Sequence, residues 1–134
     1  MWKITGRYLV RNLRRLIDTA PDVDLYVNLR RWPRLWCDTY AYAFTRSGLE
    51  RYLVPWWRIV DATTGPGHFG EVTIAHQLLP LLERGEPGIA PRFKYEPRLG
   101  GVRGSDLQSY DSPKQQVKYA VRVVARRLAP RLWI

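Results

Sequence analysis

Two carboxylates stand where a sequence could use them for chemistry. Asp38 lies inside the aromatic run Trp36-Cys37-Asp38-Thr39-Tyr40-Ala41-Tyr42-Ala43-Phe44. An acid there is costly to bury unless it meets a cation or a ligand hydroxyl. Sugar sites have this mixture, because ring faces stack on pyranoses while carboxylates accept their hydroxyls. Asp38 therefore reads either as a sugar contact or as the partner of one of the chain's many arginines. Glu71 follows the glycine-rich stretch 62–70 and opens an amphipathic segment. The N-terminus of a helix is where anions and reacting groups are commonly held. Glu71 is thus either a general base or a carboxylate that complements the helix dipole.

Other candidates are weaker. His68, Glu71 and His76 give H-x-x-E-x-x-x-x-H, which has the wrong spacing for an H-x-x-E-H zinc site. Five helical positions are about 500° of rotation, so Glu71 and His76 do not share a face, and a protease is not expected. Asp22-Val23-Asp24 has the carboxylate pairing that holds Mg²⁺ or Mn²⁺ against a diphosphate, and equally caps a turn after Pro21. Cys37 has no paired histidine and reads as packing. In Gly65-Pro66-Gly67 the proline removes the N–H that a phosphate cradle needs, and no Walker or dinucleotide fingerprint is present.

The third signal is charge. The 134 residues carry 22 Lys plus Arg against 12 Asp plus Glu, a formal +10, so the expected partner is an anion. Lys114, Lys118, Arg122, Arg126, Arg127 and Arg131 follow Asp111 without another acid, and Trp133-Ile134 closes the chain. Val117, Ala120, Val121, Val124 and Leu128 share one helical stripe. This is the pattern of a helix in a membrane interface with its cations toward anionic headgroups, with Trp133 beside them. It is also the pattern of a terminal helix packed on its domain with a solvated basic face. Nucleic acid is a lesser option, since no zinc spacing, RNP motif or helix-turn-helix signature appears. Six Trp and eight Tyr suit surfaces where one end is dry and the other wet.

These residues need elements to position them. The hydrophobic fraction of 46% is that of one globular domain, and a single cysteine excludes a disulfide scaffold. No apolar stretch reaches signal-peptide or membrane-span length, so the chain reads as cytoplasmic and non-spanning. Periodicity predicts strands over 3–5, 25–27, 36–44, 58–60 and 92–95, and helices over 8–17, 48–53 (Ser47 as N-cap), 71–82 and 113–128 (Ser112 as N-cap). The Pro/Gly/Arg-rich stretch 85–104 is expected to be mobile. The expectation is a mixed α/β domain over 1–111 with a basic amphipathic C-terminal helix over 112–134. The strands are few and short, which suggests a fold completed by a partner chain or a missing N-terminal half.

One resemblance runs through these segments. Lys3-Ile4-Thr5-Gly6-Arg7-Tyr8, followed by Asn12-Leu13, resembles the K-[IL]-[ST]-G-R-Y segment of a loose group of bacterial glycosyltransferases of capsule and lipopolysaccharide synthesis. Trp36-Cys37-Asp38-Thr39 through Phe44-Thr45 with Leu49-Glu50-Arg51-Tyr52-Leu53, and Glu71 with His76-Gln77-Leu78, are similar to later segments of that group. The resemblance covers roughly residues 3–82. It implies the acceptor half of a GT-A-like fold, working at the cytoplasmic membrane face. A sugar would pass from a nucleotide-sugar donor, with Mn²⁺ or Mg²⁺ as the associated cofactor, to a glycan or lipid-linked acceptor. It further implies Lys3, Gly6, Arg7, Tyr8 and Asn12 as donor or substrate contacts, Asp38 as the group orienting a hydroxyl, and Glu71 as the base. In that fold the Asp-x-Asp precedes the Gly-Arg-Tyr segment, whereas Asp22 and Asp24 follow it. The alternative is a small basic, non-catalytic protein that binds anionic membrane or nucleic acid through its last helix.

Overall fold

The computed structural model describes residues 1–5, 9–63, 70–102 and 109–129. Strands β1 (Trp2–Ile4), β4 (Trp36–Phe44), β3 (Leu25–Arg30) and β5 (Ile89–Ala90) lie side by side in that order. β4 runs antiparallel to both β1 and β3, while β5 runs parallel to β3. A separate two-stranded ribbon joins β2 (Leu9–Val10) to β6 (Leu99–Gly100). The chain is therefore mixed α/β with short strands and helices. Among the described residues no helix is long and apolar enough to cross a membrane.

β4 carries an irregularity that decides which side chains meet. Tyr26 pairs with Ala43 and Asn28 with Asp38, so Val27 alone opposes the stretch 39–42. The odd number of extra residues flips the alternation of the strand. Cys37 and Tyr42 thus fall on one face, with Leu25, Val27 and Leu29. Tyr40 and Ala41, although adjacent, both fall on the other, with Tyr26 and Phe93.

The first face is covered by helices. Thr45 caps their start, its hydroxyl accepting from the Gly48 N–H at 3.0 Å. From there α2 (Arg46–Gly48) passes into a π-helical turn over Leu49–Leu53 and then α3 (Val54–Thr63). The wide turn sits just ahead of Pro55, whose ring would strike the carbonyl four residues back in a regular α-helix and which has no N–H to give. Tyr52, Leu53 and Trp56 pack from this run onto the sheet, as do Ile74, Ala75 and Leu78 of α4 (Gly70–Glu83). On the second face α1 (Leu13–Asp18) buries Leu16 against Phe93, Tyr26 and Val10.

Several expectations are corrected here. Residues 58–60 are helical, because the run begun at Thr45 continues past Pro55 and buries Trp56, which outweighs the β-branched Ile59 and Val60. The helix expected over 8–17 starts at Leu13, because Leu9 and Val10 pair with β6. Thr45 rather than Ser47 is the N-cap. The strand placed at 92–95 lies instead at Ile89–Ala90 and Leu99–Gly100. In the stretch expected to be mobile, Phe93 is fully buried and Ile89, Glu96, Pro97 and Gly100 are buried, while Gly85, Pro87, Lys94 and Arg98 are exposed and residues 103–104 lie outside the described residues. The strand over 36–44 and the helix over 113–128 stand where periodicity placed them, the latter as α5 (Pro113–Leu128).

Gly48 is fixed by close approach. A Cβ there would lie 1.9 Å from the Asp24 carbonyl oxygen, which also accepts the Thr45 N–H. Since the obstruction is backbone, Gly48→Ala should destabilise by about 1–3 kcal/mol or more, despite alanine's higher helix propensity. A lower urea midpoint checks this; an unchanged midpoint contradicts the packing of α2 on the turn before β3.

Candidate functional site

Asp38 and Glu71 do not meet. Thr39 donates to Glu71 Oε1 at 2.9 Å on the face covered by α4. Asp38, the preceding residue, faces the other way, toward Asn28 and Tyr40. A sheet separates the two acids, and Cys37 lies buried between their fields. Desolvation, with Asp38 and Glu71 adding to it, pushes the Cys37 thiol far up.

The charge of Asp38 is spent inside the protein. Its Oδ2 accepts from Asn28 Nδ2 at 2.7 Å and from the Tyr40 hydroxyl at 3.1 Å, and its Oδ1 from Arg30 Nη2 at 3.1 Å. Burial, then Asp38 and Glu96, raise Tyr40 well above the usual phenol value, which keeps its hydroxyl a donor. Of the two readings of Asp38, the arginine partner is the one the contacts realise. Asn28 passes the network on, its Oδ1 accepting from Arg126 Nη2 at 2.9 Å. The same guanidinium donates to Glu96 Oε2 at 2.6 Å and to the Phe93 carbonyl. Both Arg126 and Glu96 are buried. Arg92 donates in turn to the Arg126 carbonyl at 2.8 Å, its own pKa lowered by burial and by the Arg126 charge.

This network sets α5 the other way round from a terminal helix packed on its domain through the apolar stripe, and it withdraws two cations from the expected anion-contact set. Arg126, expected as an anion contact, faces the core, and Arg122 is half-buried with Nη1 3.5 Å from Glu96 Oε1. Val117, Val121, Val124 and Leu128 face solvent. The physical reason is that Glu96 needs a cation, and Arg126 lies on the helix face opposite the apolar stripe. Lys114, Lys118 and Arg127 are exposed.

The other expected contacts are dispersed. Lys3 Nζ lies over the rings of Trp57 at 4.9 Å and Tyr42 at 5.5 Å, on the α3 side. Asn12 is a clamp for backbone: Nδ2 donates to the Glu96 carbonyl at 2.9 Å and Oδ1 accepts the Arg98 N–H at 2.7 Å. Gly6, Arg7, Tyr8, His68 and Trp133 lie outside the described residues. Asp24 receives the Thr45 hydroxyl at 2.5 Å and the Ser47 hydroxyl at 3.4 Å, the turn-capping role. Among the described residues no three acids, histidines or cysteines cluster to hold Mg²⁺ or Mn²⁺.

What the fold does build is a cleft of about 340 Å³ between α5 and the segment 96–99. Arg98, Tyr110, Gln115, Lys118, Tyr119 and Arg122 line it, with Glu96 and Asp111 in its wall. Those two acids are already engaged, Glu96 by Arg126 and Asp111 by Arg11 at 2.8 Å. Arg98 and Lys118 have no ion-pair partner among the described residues, so the field in the cleft is positive. Two phenol rings, a side-chain amide and cations together suit a small anion that carries hydroxyls or a ring.

The chain matches no family model, no curated protein and no solved structure. The functional reading therefore rests on the site itself. Sequence reasoning passed over Glu96 and Asn28. One signal was available for Glu96, which is the only acid between Glu86 and Asp106, in a stretch rich in arginine.

Removing one partner of the Arg126–Glu96 pair leaves a buried, uncompensated charge. Arg126→Met should cost about 3–5 kcal/mol in urea unfolding, and adding Glu96→Gln should recover part of it. Arg126→Lys should not restore stability, because an ammonium lacks the planar fork that reaches Asn28, Glu96 and the Phe93 carbonyl together. Cys37 should resist alkylation in the native protein and react only as fast as the molecule unfolds, measured by thiol labelling against denaturant.

Proposed function

We propose that this chain binds the phosphorylated end of a carbohydrate substrate in the cleft between α5 and residues 96–99. In this reading it belongs to a sugar-transfer system of bacterial surface-polysaccharide synthesis, as the acceptor half of a GT-A-like fold. The observation that carries the reading is the cleft's lining: Arg98 and Lys118, without an ion-pair partner among the described residues, beside the rings of Tyr110 and Tyr119. Guanidinium and ammonium groups take phosphate oxygens through charge-assisted hydrogen bonds. Tyrosine faces stack on sugar rings, and the amide of Gln115 supplies a donor and an acceptor for hydroxyls. At about 340 Å³ the space suits a monosaccharide phosphate rather than a length of polymer.

The geometry supports binding further than it supports transfer. Asp38 and Glu71 lie on opposite sheet faces and neither lines the cleft. Glu96 reaches its wall with both oxygens turned to arginines. The attacking hydroxyl would need its base from outside this group of residues. No described residue is assigned that step.

Titration calorimetry with glucose 1-phosphate, a nucleoside diphosphate glucose and unphosphorylated glucose tests the proposal. The two phosphorylated probes should bind and glucose should not. Arg98→Gln or Lys118→Gln, both at exposed positions that leave the core alone, should each weaken binding roughly five- to tenfold. Absence of binding by either phosphorylated probe, or affinity indifferent to both substitutions, would overturn it.

A further inference from the structure

The stripe that α5 turns to solvent has an energetic consequence independent of the cleft. Val117, Val121, Val124 and Leu128 are 63, 61, 53 and 80% exposed. They repeat at four, three and four positions, one continuous line along a helix about 24 Å long. Gln115, Tyr119, Arg122 and Arg126 occupy the opposite side, roughly 180° away, and face the protein. An ordinary terminal helix would have buried the aliphatic side. Here the buried ion pair dictates the opposite mounting, and the aliphatic side stays uncovered within one molecule.

We infer that α5 docks, without detaching from the domain, on an anionic lipid surface. Charge chooses among the occupants. Lys114 and Lys118 flank the stripe on one side and Arg127 on the other, and the helix contains no carboxylate. Pairing two copies through this stripe would bring cation rows together with no acid between them, which opposes a homodimer. A lipid interface satisfies both sets of groups at once. Acyl chains cover the aliphatic line, and anionic headgroups meet cations that lie on both flanks at the depth of the helix axis. The length and hydropathy of α5 fit lying in the interface and not crossing it. Arg126 and Arg122 take no part, since their face holds the helix to the sheet.

Cosedimentation of the full chain with vesicles decides the matter. Binding should be strong to vesicles of phosphatidylcholine mixed with phosphatidylglycerol, weak to phosphatidylcholine alone, and reduced by salt. Val121→Asp with Val124→Asp, at exposed positions that leave the fold intact by circular dichroism, should weaken vesicle binding by at least tenfold. Lys114→Gln with Arg127→Gln should weaken it about fivefold per cation while leaving the neutral-lipid background unchanged. None of these four residues lines the cleft, so sugar-phosphate titration should be unaffected, and failure of one proposal leaves the other standing. The inference is overturned if anionic vesicles do not retain the protein, or if retention ignores the valine substitutions. It is equally overturned if the wild type sediments as a dimer that those substitutions dissolve while vesicles capture nothing, or if only an acidic protein captures it.

Discussion

The ion pair of Arg126 with Glu96 is the constraint on which the arrangement of this protein turns. Removing two charges from water costs several kcal/mol each, and the pair recovers that only with good geometry and saturated lone pairs. The fold supplies much of this, though the buried Nε atoms of Arg30 and Arg126 make no hydrogen bond among the described residues. Arg126 also reaches Asn28 and the Phe93 carbonyl, Asn28 also reaches Asp38, and Asp38 also holds Arg30 and Tyr40. Two carboxylates and three guanidiniums, Arg122 also reaching Glu96, thus form one network joining β3, β4, the 93–96 segment and α5. Each member is held by elements distant in sequence, so the network specifies how these elements meet more than it contributes net stability.

The mounting of α5 shows which effect wins. Leaving a valine or leucine exposed forgoes roughly 1.5–3 kcal/mol per side chain relative to full burial. Turning the helix to bury its aliphatic stripe would recover part of that. The same turn would strand Glu96 without its cation and carry Arg126 into water, a loss of about 3–5 kcal/mol from the broken buried pair alone. Reaching the stripe would further require the cleft-lining face, with Tyr119 and Gln115, to give up its contact with the domain. The polar face therefore holds.

What was legible in the sequence, and what was not, follows from the same physics. β4 and α5 were legible because each has a long local pattern, aromatic and β-favouring residues in one, Ser-Pro followed by helical periodicity in the other. Residues 58–60 misled, because two β-branched residues count for less than a helix already nucleated at Thr45 and anchored by Trp56. The orientation of α5 was not legible, since periodicity finds an apolar stripe but does not say whether it faces the core or the outside. Only the position of Glu96, brought near Asn28 and Arg126 by tertiary structure, decides between the two. The opposed facing of Asp38 and Glu71 was hidden for a related reason: alternation along β4 is interrupted opposite Val27, and a register shift leaves no mark in one sequence.

The cleft and the exposed stripe are two results of one choice. A helix that presents its polar side inward must meet the domain through long, imperfectly packing side chains, and such contacts leave space. The space between α5 and residues 96–99 is lined by that polar side and by Arg98, whose backbone is fixed by Asn12. Asn12 stands just before α1, so the ribbon of β2 and β6 and the wall of the cleft are held by one amide. Among the described residues, the carboxylates in its wall are occupied, Glu96 by the core pair and Asp111 by Arg11. A positive hollow on one side of α5 and an aliphatic line between cations on the other are what remains once the Arg126–Glu96 pair has been satisfied.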